Sequence, residues 1–584
     1  MLRQLVHKGV VVPTPPGPYN LILTVRGRQV ALTPEQEEMA LAWARKLGTP
    51  YVEDPVFVRN FLADFSAALG IEPPLKLHEV DFQPAEAIIL HDRAQREQMT
   101  KEERKALAAE RKVAREAMKA EYGRAIVDGE ETDLGTYLVE PSSIFMGRGQ
   151  HPLRGRWKEG PKQHDITLNL SPDAPRPAGN WAGIVWQPES MWIARWQDKL
   201  SGKVKYIWLA DTATVKQNRE AHKFDKATDL DANIDAVRAH IRAALTSEDA
   251  RRRQVATACY LIDTLCLRVG DEKDPDEADT VGATTLRPEH VILHEDGTAE
   301  FKFLGKDSVL WHKKIELPEE VRRNLVELGR NARPGRNSAH DKPQLFADVS
   351  SRDVNAFLSE ALPGLSAKVF RTHHATVVVR DTLDEAGVSA SDPDYKKRAA
   401  AAEANLAAAV LCNHYKTAPA RWAERRAKAQ ERKKQLQARV QELKAPLEEA
   451  REALKAARAA AKEKEEAAKT PAQREKAKAS GRKKIEAAER KVEQAQARLR
   501  RAEEALARFS SQATLASKTR TWNLGTSLKS YIDPRIYQRW GERVGYDVIA
   551  AYYPKTLQRK FAWVKNGNEA EDEESEAIAE SMES

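Results

Sequence analysis

Cysteine is scarce: the 584-residue chain has three, Cys259, Cys266 and Cys412. They are too few and too scattered for a disulfide framework or a zinc site, so buried, reduced thiols are expected. No stretch approaches the ~18 consecutive apolar residues that a membrane span needs. The start, Met1-Leu-Arg-Gln-Leu-Val-His-Lys-Gly9, runs into Pro13, Pro15 and Pro16 without an apolar signal region. A soluble, cytoplasmic protein is the expectation. A nucleotide loop is also missing. Gly305-Lys306-Asp-Ser308 has the right ending, but Glu300 stands where such a loop needs its first glycine, five residues before Gly305. ATP use therefore has no support. No His-Glu-x-x-His and no clustered Asp motif demands a metal, so neither metal nor cofactor is expected.

Charge is abundant. Charged residues are 31% of the chain, hydrophobic ones 41%, and the net charge is +8. The last stretch, Asn568-Glu-Ala-Glu-Asp-Glu-Glu-Ser-Glu576, is acidic, which makes the remaining body more basic still and reads as a disordered tail over 567–584. A basic body favours a polyanionic partner, though charge alone does not separate DNA from RNA or a membrane surface. At roughly 150 residues per domain, the length predicts three to five domains.

The pattern divides the chain. Residues 1–213 read as a mixed α/β half. A helical pattern runs from Thr33 to about Ser66, and a basic helix from about Ala85 to Tyr122. Short strands follow near Ile144, over Asp165–Leu170 and Ser190–Trp196, and over Lys203–Leu209. Residues 214–420 read as mostly helical, apart from a hairpin over His290–Lys306 turning at Asp296-Gly297. Residues 421–510 are rich in Ala, Lys, Glu and Arg. Leu436, Val440, Leu443, Leu447, Ala450 and Leu454 mark one seam at alternating spacings of three and four. Ile485, Ala488, Val492, Ala495, Leu499, Ala502, Leu506 and Phe509 mark its return. Thr470-Pro471 breaks the pattern between them, which predicts an antiparallel coiled-coil hairpin with a kink at Pro446. Such a hairpin brings its ends together, so Asn413-His414 before it and Tyr531 after it can share a site. Residues 511–566 form a small helical C-terminal domain.

Tyr531 lies between Gly525-Thr-Ser527 and Asp533-Pro-Arg535, an arrangement read as two turns that present a phenol. Upstream, Arg268 follows an apolar helix, Lys306 ends the hairpin, Arg371 sits in Lys368-Val-Phe-Arg-Thr-His-His374, and His414 ends another apolar helix. Each alone is as readily structural; Arg268, for example, would serve as a helix cap. Together they match a phosphodiester attacked by tyrosine. Arginines clamp the non-bridging oxygens, a histidine donates to one of them, and a lysine protonates the leaving oxygen.

Five stretches then carry a resemblance. Leu267-Arg-Val-Gly-Asp-Glu-Lys273, Phe303-Leu-Gly-Lys-Asp-Ser308, Lys368-Val-Phe-Arg-Thr372, Leu411-Cys-Asn-His414 and Leu524-Gly-Thr-Ser…Tyr531-Ile-Asp-Pro-Arg535 resemble signatures of the eukaryotic-like type IB DNA topoisomerases. Phe145-Met-Gly-Arg-Gly-Gln-His-Pro152 and Gln558-Arg-Lys-Phe-Ala-Trp563 add to the match, which runs from about Pro13 to Trp563. The resemblance implies a multidomain α+β protein: an N-terminal DNA-clamping cap, a tyrosine-recombinase-like catalytic core, a coiled-coil linker and a C-terminal domain. It implies that Tyr531 forms a 3′-phosphotyrosine, that Arg268, Arg371 and His414 stabilise the transition state, and that Lys306 protonates the 5′ oxygen. It further implies DNA contacts by Arg96, Arg148, Trp192, Lys205, Tyr206, Lys223, Asp271, Glu272, Lys273, Thr280 and Lys368. The implied activity is an isomerase relaxing supercoiled double-stranded DNA without ATP or metal, as a monomeric clamp in a nucleoid.

Departures from the family pattern exist. Met146 stands where an arginine is common. Ser530 replaces the asparagine of camptothecin-sensitive members, which implies resistance. The long lysine-rich extension of nuclear members is missing, which favours a compact archaeal-type form. A tyrosine recombinase and a non-catalytic DNA-binding coiled-coil protein are the alternative readings.

Overall fold

The computed structural model describes residues 1–147, 149–270, 279–335 and 342–565, with Asp307 described by its backbone alone. Arg148, Asp271, Glu272, Lys273 and the acidic tail lie outside the described residues. The chain divides into two compact units. One runs from Met1 to Arg371 and takes up the chain again from Lys555; the other is Thr372–Pro554.

The first unit begins with two small cores. Strands β1 (Leu5–His7), β5 (Arg124–Val127) and β6 (Glu130–Asp133) form one antiparallel sheet. β9 (Thr167–Asn169), β10 (Gly183–Val185), β11 (Trp192–Gln197) and β12 (Val204–Trp208) form another, in the order β10-β9-β11-β12. Their inward residues, among them Leu5, Leu168, Ile193 and Ile207, share one core. The second core lies around Trp43, which stacks on Phe61 at 4.6 Å. It is covered by β2 (Ile22–Val25), β3 (Arg28–Ala31), β4 (Val80–Asp81), β7 (Ser143–Ile144) and β8 (Trp157–Lys158). The helical stretch from Thr33 proves to be two helices, α1 (Pro34–Ala44) and α2 (Pro55–Leu69). Each starts on a polar cap followed by proline, Thr33-Pro34 and Asp54-Pro55. The long basic helix is likewise broken, into α3 (Gln83–Gln98) and α4 (Lys101–Tyr122). Thr100 caps the second with a reciprocal Glu103 bond, a local signal strong enough to restart the helix.

The third core of this unit joins α5 (Thr214–Ala244), α6 (Ala250–Leu265), α7 (Glu319–Arg330), α8 (Ser351–Ala361) and the start of α9 (Ala367–Glu385). The expected hairpin is in fact a three-stranded sheet of β13 (Val291–Leu293), β14 (Thr298–Gly305) and β15 (Val309–Glu316). Lys306 therefore sits in the turn between β14 and β15 rather than at a sheet's end. A minor pair, β16 (Arg333–Pro334) and β17 (Pro343–Gln344), completes the strands.

The second unit is helical throughout: α10 (Asp394–Leu411), α11 (Trp422–Glu442), α12 (Lys444–Glu466), α13 (Pro471–Thr519), α14 (Leu524–Ser530), α15 (Pro534–Val544) and α16 (Val548–Tyr552). The first-arm break falls at Leu443, three residues before Pro446, where the proline ring removes room and a donor. Thr470 caps α13 with Pro471 in its first turn. The return arm pairs antiparallel with the first: Arg458 bonds Glu489 at 2.8 Å, and Gly481 lies against Ala461. A Cβ at Gly481 would come within 2.8 Å of the Ala461 Cβ, so the glycine permits close approach. α13 continues to Thr519, beyond the expected limit of 510, and spans about 74 Å at 1.5 Å per residue. The last described helix, α17 (Lys555–Lys560), belongs to the first unit, where Phe561 and Trp563 pack on Phe224. Among the described residues no helix is long and apolar enough to cross a membrane.

Candidate active site and nucleic-acid interface

In the first unit, α6 ends on Cys266, whose φ of 55° is left-handed. Such a conformation costs a non-glycine residue about 1–2 kcal/mol. The turn satisfies the helix end, with the Leu267 amide donating to the Ile262 carbonyl at 3.2 Å. It also turns the Cys266 carbonyl toward Arg371, whose Nη1 donates to it at 2.5 Å. Arg371 is 3% exposed. Two residues on, the Arg268 carbonyl accepts from the Ala283 amide at 2.9 Å, and Val269 accepts from Thr284 at 2.7 Å. Gly270 and Gly282 touch here: a Cβ on Gly270 would stand 2.8 Å from the Gly282 Cα. This closeness requires two glycines. The same segment then reaches the sheet, the Val281 amide donating to the Leu304 carbonyl at 2.8 Å, two residues before Lys306. Arg268, Lys306 and Arg371 are thus bound into one backbone framework. The glycine-rich loop also reaches it, since a Cβ at Gly149 would run into the Ser308 side chain.

In the second unit, α10 ends by a similar device. Asn413 has φ of 53°, and the His414 amide donates to the Ala409 carbonyl at 2.8 Å. The helical hairpin then closes at its base. The Asn523 amide donates to the His414 carbonyl at 2.7 Å, the Lys416 amide to Thr521 at 2.8 Å, and Tyr415 bridges Trp522. Four backbone groups are satisfied by this pairing, which carries the chain back to His414 just before Tyr531. The His414 and Tyr531 rings lie 5.2 Å apart between centroids. His414 Nδ1 lies 2.8 Å from Ser527 Oγ.

The surroundings of Tyr531 differ from the expected pair of turns. Gly525-Thr-Ser527 is inside α14, capped by Asn523, and Asp533-Pro-Arg535 starts α15, capped by Asp533. Tyr531 is 6% exposed, a correction to the reading of a displayed phenol. The reason is packing: Leu528 and Ile532 are buried on either side of it, each stabilising by roughly 1.5–3 kcal/mol. Thr376 adds two backbone bonds, donating to the Tyr531 carbonyl at 3.4 Å and accepting from the Asp533 amide at 3.1 Å.

The sequence that builds this site is similar to that of known proteins. The model of the catalytic core of eukaryotic DNA topoisomerase I matches residues 212–447, that of its DNA binding fragment residues 2–209, and that of the C-terminal topoisomerase domain residues 503–573. The human mitochondrial DNA topoisomerase I is 32% identical over 576 residues, covering 96% of this chain and 89% of that protein. The chain belongs to the eukaryotic DNA topoisomerase I family. DNA topoisomerase 1 alpha of Arabidopsis thaliana is 35% identical over 421 residues, and DNA topoisomerase 1 of Candidozyma auris 34% over 427. The matched regions span only 44% and 55% of those two proteins.

Among residues expected to touch DNA in this topoisomerase family, Arg96 on α3, Lys205 and Tyr206 on β12, and Lys368 at the start of α9 are exposed. Thr280 is half-buried in the segment that supports Arg268. Trp192 is not exposed like these: it is 2% exposed, its indole donating to Gln187, with Tyr206 tilted against it at 6.2 Å. Lys223 is also engaged, bonded to Glu220, which Lys560 reaches at 3.0 Å. Burial, with Lys560 and Lys368 nearby, brings the Lys223 amine down to about 8 despite the favourable Glu220 charge. Sequence reasoning missed Ser527, Thr376, Glu220 and the Asp279–Arg287–Lys342 ion network that holds the residue before Thr280. Ser527 and Thr376 have no local signal, because their partners are more than a hundred positions away, whereas Glu220 and Lys223 are i, i+3 neighbours on α5.

Proposed function

We propose that this protein is a type IB DNA topoisomerase that cleaves one strand, lets the duplex rotate, and religates it. Tyr531 Oη forms a bond to phosphorus while the bond to the 5′ oxygen breaks, leaving a 3′-phosphotyrosine. The phenol gives its proton to solvent water, and the leaving oxygen gains one from Lys306. Arg268, Arg371 and His414 stabilise the added charge on the non-bridging oxygens. One phosphodiester replaces another, so religation needs no ATP. The observation that carries this reading is the pairing of the His414 and Tyr531 rings, from positions on either side of the helical hairpin.

In this reading residues 1–213 clamp DNA, 214–420 are a tyrosine-recombinase-like core, 421–510 a coiled-coil linker and 511–566 the nucleophile's domain. Arg96, Lys205, Tyr206, Lys223, Thr280 and Lys368 position a supercoiled duplex by its backbone rather than its sequence, and the enzyme works as a monomer in a nucleoid. The test is plasmid relaxation in EDTA without ATP. Wild type should relax both positive and negative supercoils, and Tyr531→Phe should relax none and trap no DNA covalently. Relaxation by the phenylalanine variant would exclude the mechanism.

A further inference from the structure

Ser527 is the residue through which the second unit couples its histidine to its tyrosine. It is fully buried on α14. Its carbonyl accepts from the Tyr531 amide at 2.9 Å and from the Ile532 amide at 3.1 Å. Its hydroxyl meets His414 Nδ1 at 2.8 Å, its one hydrogen-bond partner among the described residues. A buried hydroxyl has to place its hydrogen on an acceptor. The acceptor in reach is Nδ1, which must then carry a lone pair.

We infer that Ser527 is a positioning residue that fixes His414 as the neutral tautomer with its hydrogen on Nε2, ready to donate to a phosphate oxygen. The inference rests on the proposed role of His414. The His414 amide bonds Ala409, its carbonyl accepts from Asn523, and Nδ1 meets Ser527. The first two fix where the ring begins, and the third bears on which nitrogen carries the hydrogen. The same α14 turn that aims Nε2–H also fixes the peptide of Tyr531, so the donor and the nucleophile share one mount. Without the hydroxyl, Nδ1 loses the Ser527 bond that holds its lone pair, and the opposite tautomer becomes accessible. That tautomer would present a lone pair to an anionic oxygen instead of a donor.

The test is nitrogen NMR of the full chain labelled at histidine, with the His414 signals assigned by their loss in His414→Gln. Wild type should show an unprotonated Nδ1 and a protonated Nε2; the reverse overturns the inference whatever any variant does. Ser527→Ala should mix the tautomers and slow single-turnover cleavage of a short duplex roughly fivefold to tenfold, the value of one neutral hydrogen bond, at unchanged DNA affinity. Ser527→Thr, which restores the hydroxyl, should recover the wild-type spectrum. An alanine variant that cleaves at the wild-type rate with an unchanged spectrum removes Ser527 from the role. If wild type itself fails to cleave, the proposed function falls, while the spectrum still reads the tautomer.

Discussion

Two helix ends in different units carry candidate catalytic groups, and they are built alike but locked differently. α6 ends on Cys266 and leads to Arg268; α10 ends on Asn413 and leads to His414. Both left-handed residues are non-glycine, yet asparagine visits that region readily and cysteine does not. Around Arg268 the lock is backbone: Arg268 and Val269 accept from Ala283 and Thr284, and Arg371 holds the Cys266 carbonyl. Around His414 the lock includes a side chain, Ser527 Oγ on the imidazole. An arginine is charged at any working pH and needs only to be placed. A histidine must also be given a tautomer, which is set by the partner of one ring nitrogen, here the Ser527 hydroxyl.

The comparison breaks most readily at Arg371. Arg371→Ala should slow cleavage by roughly 10²-fold or more, as expected for losing a preorganised donor to a developing anion. It should also lower stability by about 1–3 kcal/mol, because the bond from the buried Arg371 guanidinium to the Cys266 carbonyl is lost. Single-turnover cleavage and thermal melting read the two effects, and near-normal cleavage would remove Arg371 from the catalytic set. Arg268→Ala should match the kinetic loss with less change in melting, since its backbone bonds survive.

A milder break is Asn413→Val. A β-branched residue at φ of 53° should cost about 1–2 kcal/mol more than a glycine there, so Asn413→Gly should melt above Asn413→Val. Equal melting of the two variants would show that the left-handed turn stores no strain.

The smallest effect is pH-dependent. Lys223 loses its proton near 8 in the folded chain instead of near its ordinary 10.5. Between those values the unfolded chain binds more protons, so this group makes stability rise with pH across that window. DNA affinity should do the opposite, falling as pH rises through about 8 while the logarithmic salt slope drops by about one. Lys223→Arg should hold both flat. A wild-type salt slope constant from pH 7 to 9 would count against Lys223 as a phosphate contact.

Much of the second unit was legible from sequence. The Thr470-Pro471 break and the Pro446 kink are local patterns, and α11, α12 and α13 follow them. So was the meeting of His414 with Tyr531, because a hairpin must return its ends. The setting of Tyr531 was misjudged: Gly525-Thr-Ser527 has turn composition, but the Asn523 cap and the burial of Leu528 and Ile532 make it helix. The third strand behind Lys306 was missed too, since β15 reads His312-Lys-Lys314 on a strand whose inward anchor is Trp311.

The amino-acid sequence alone determined the family to which the chain belongs and the order of the side chains proposed to act on a phosphodiester. Those depend on residue identity and short motifs, which survive without a fold. Tertiary structure decided how each group is held: the Cys266 carbonyl under Arg371, the Gly270–Gly282 contact behind Arg268, and the Ser527 hydroxyl on His414. Hydrogen bonds and close approach join residues by distance in space, and partners 105 or 113 positions apart leave no periodic trace in the chain.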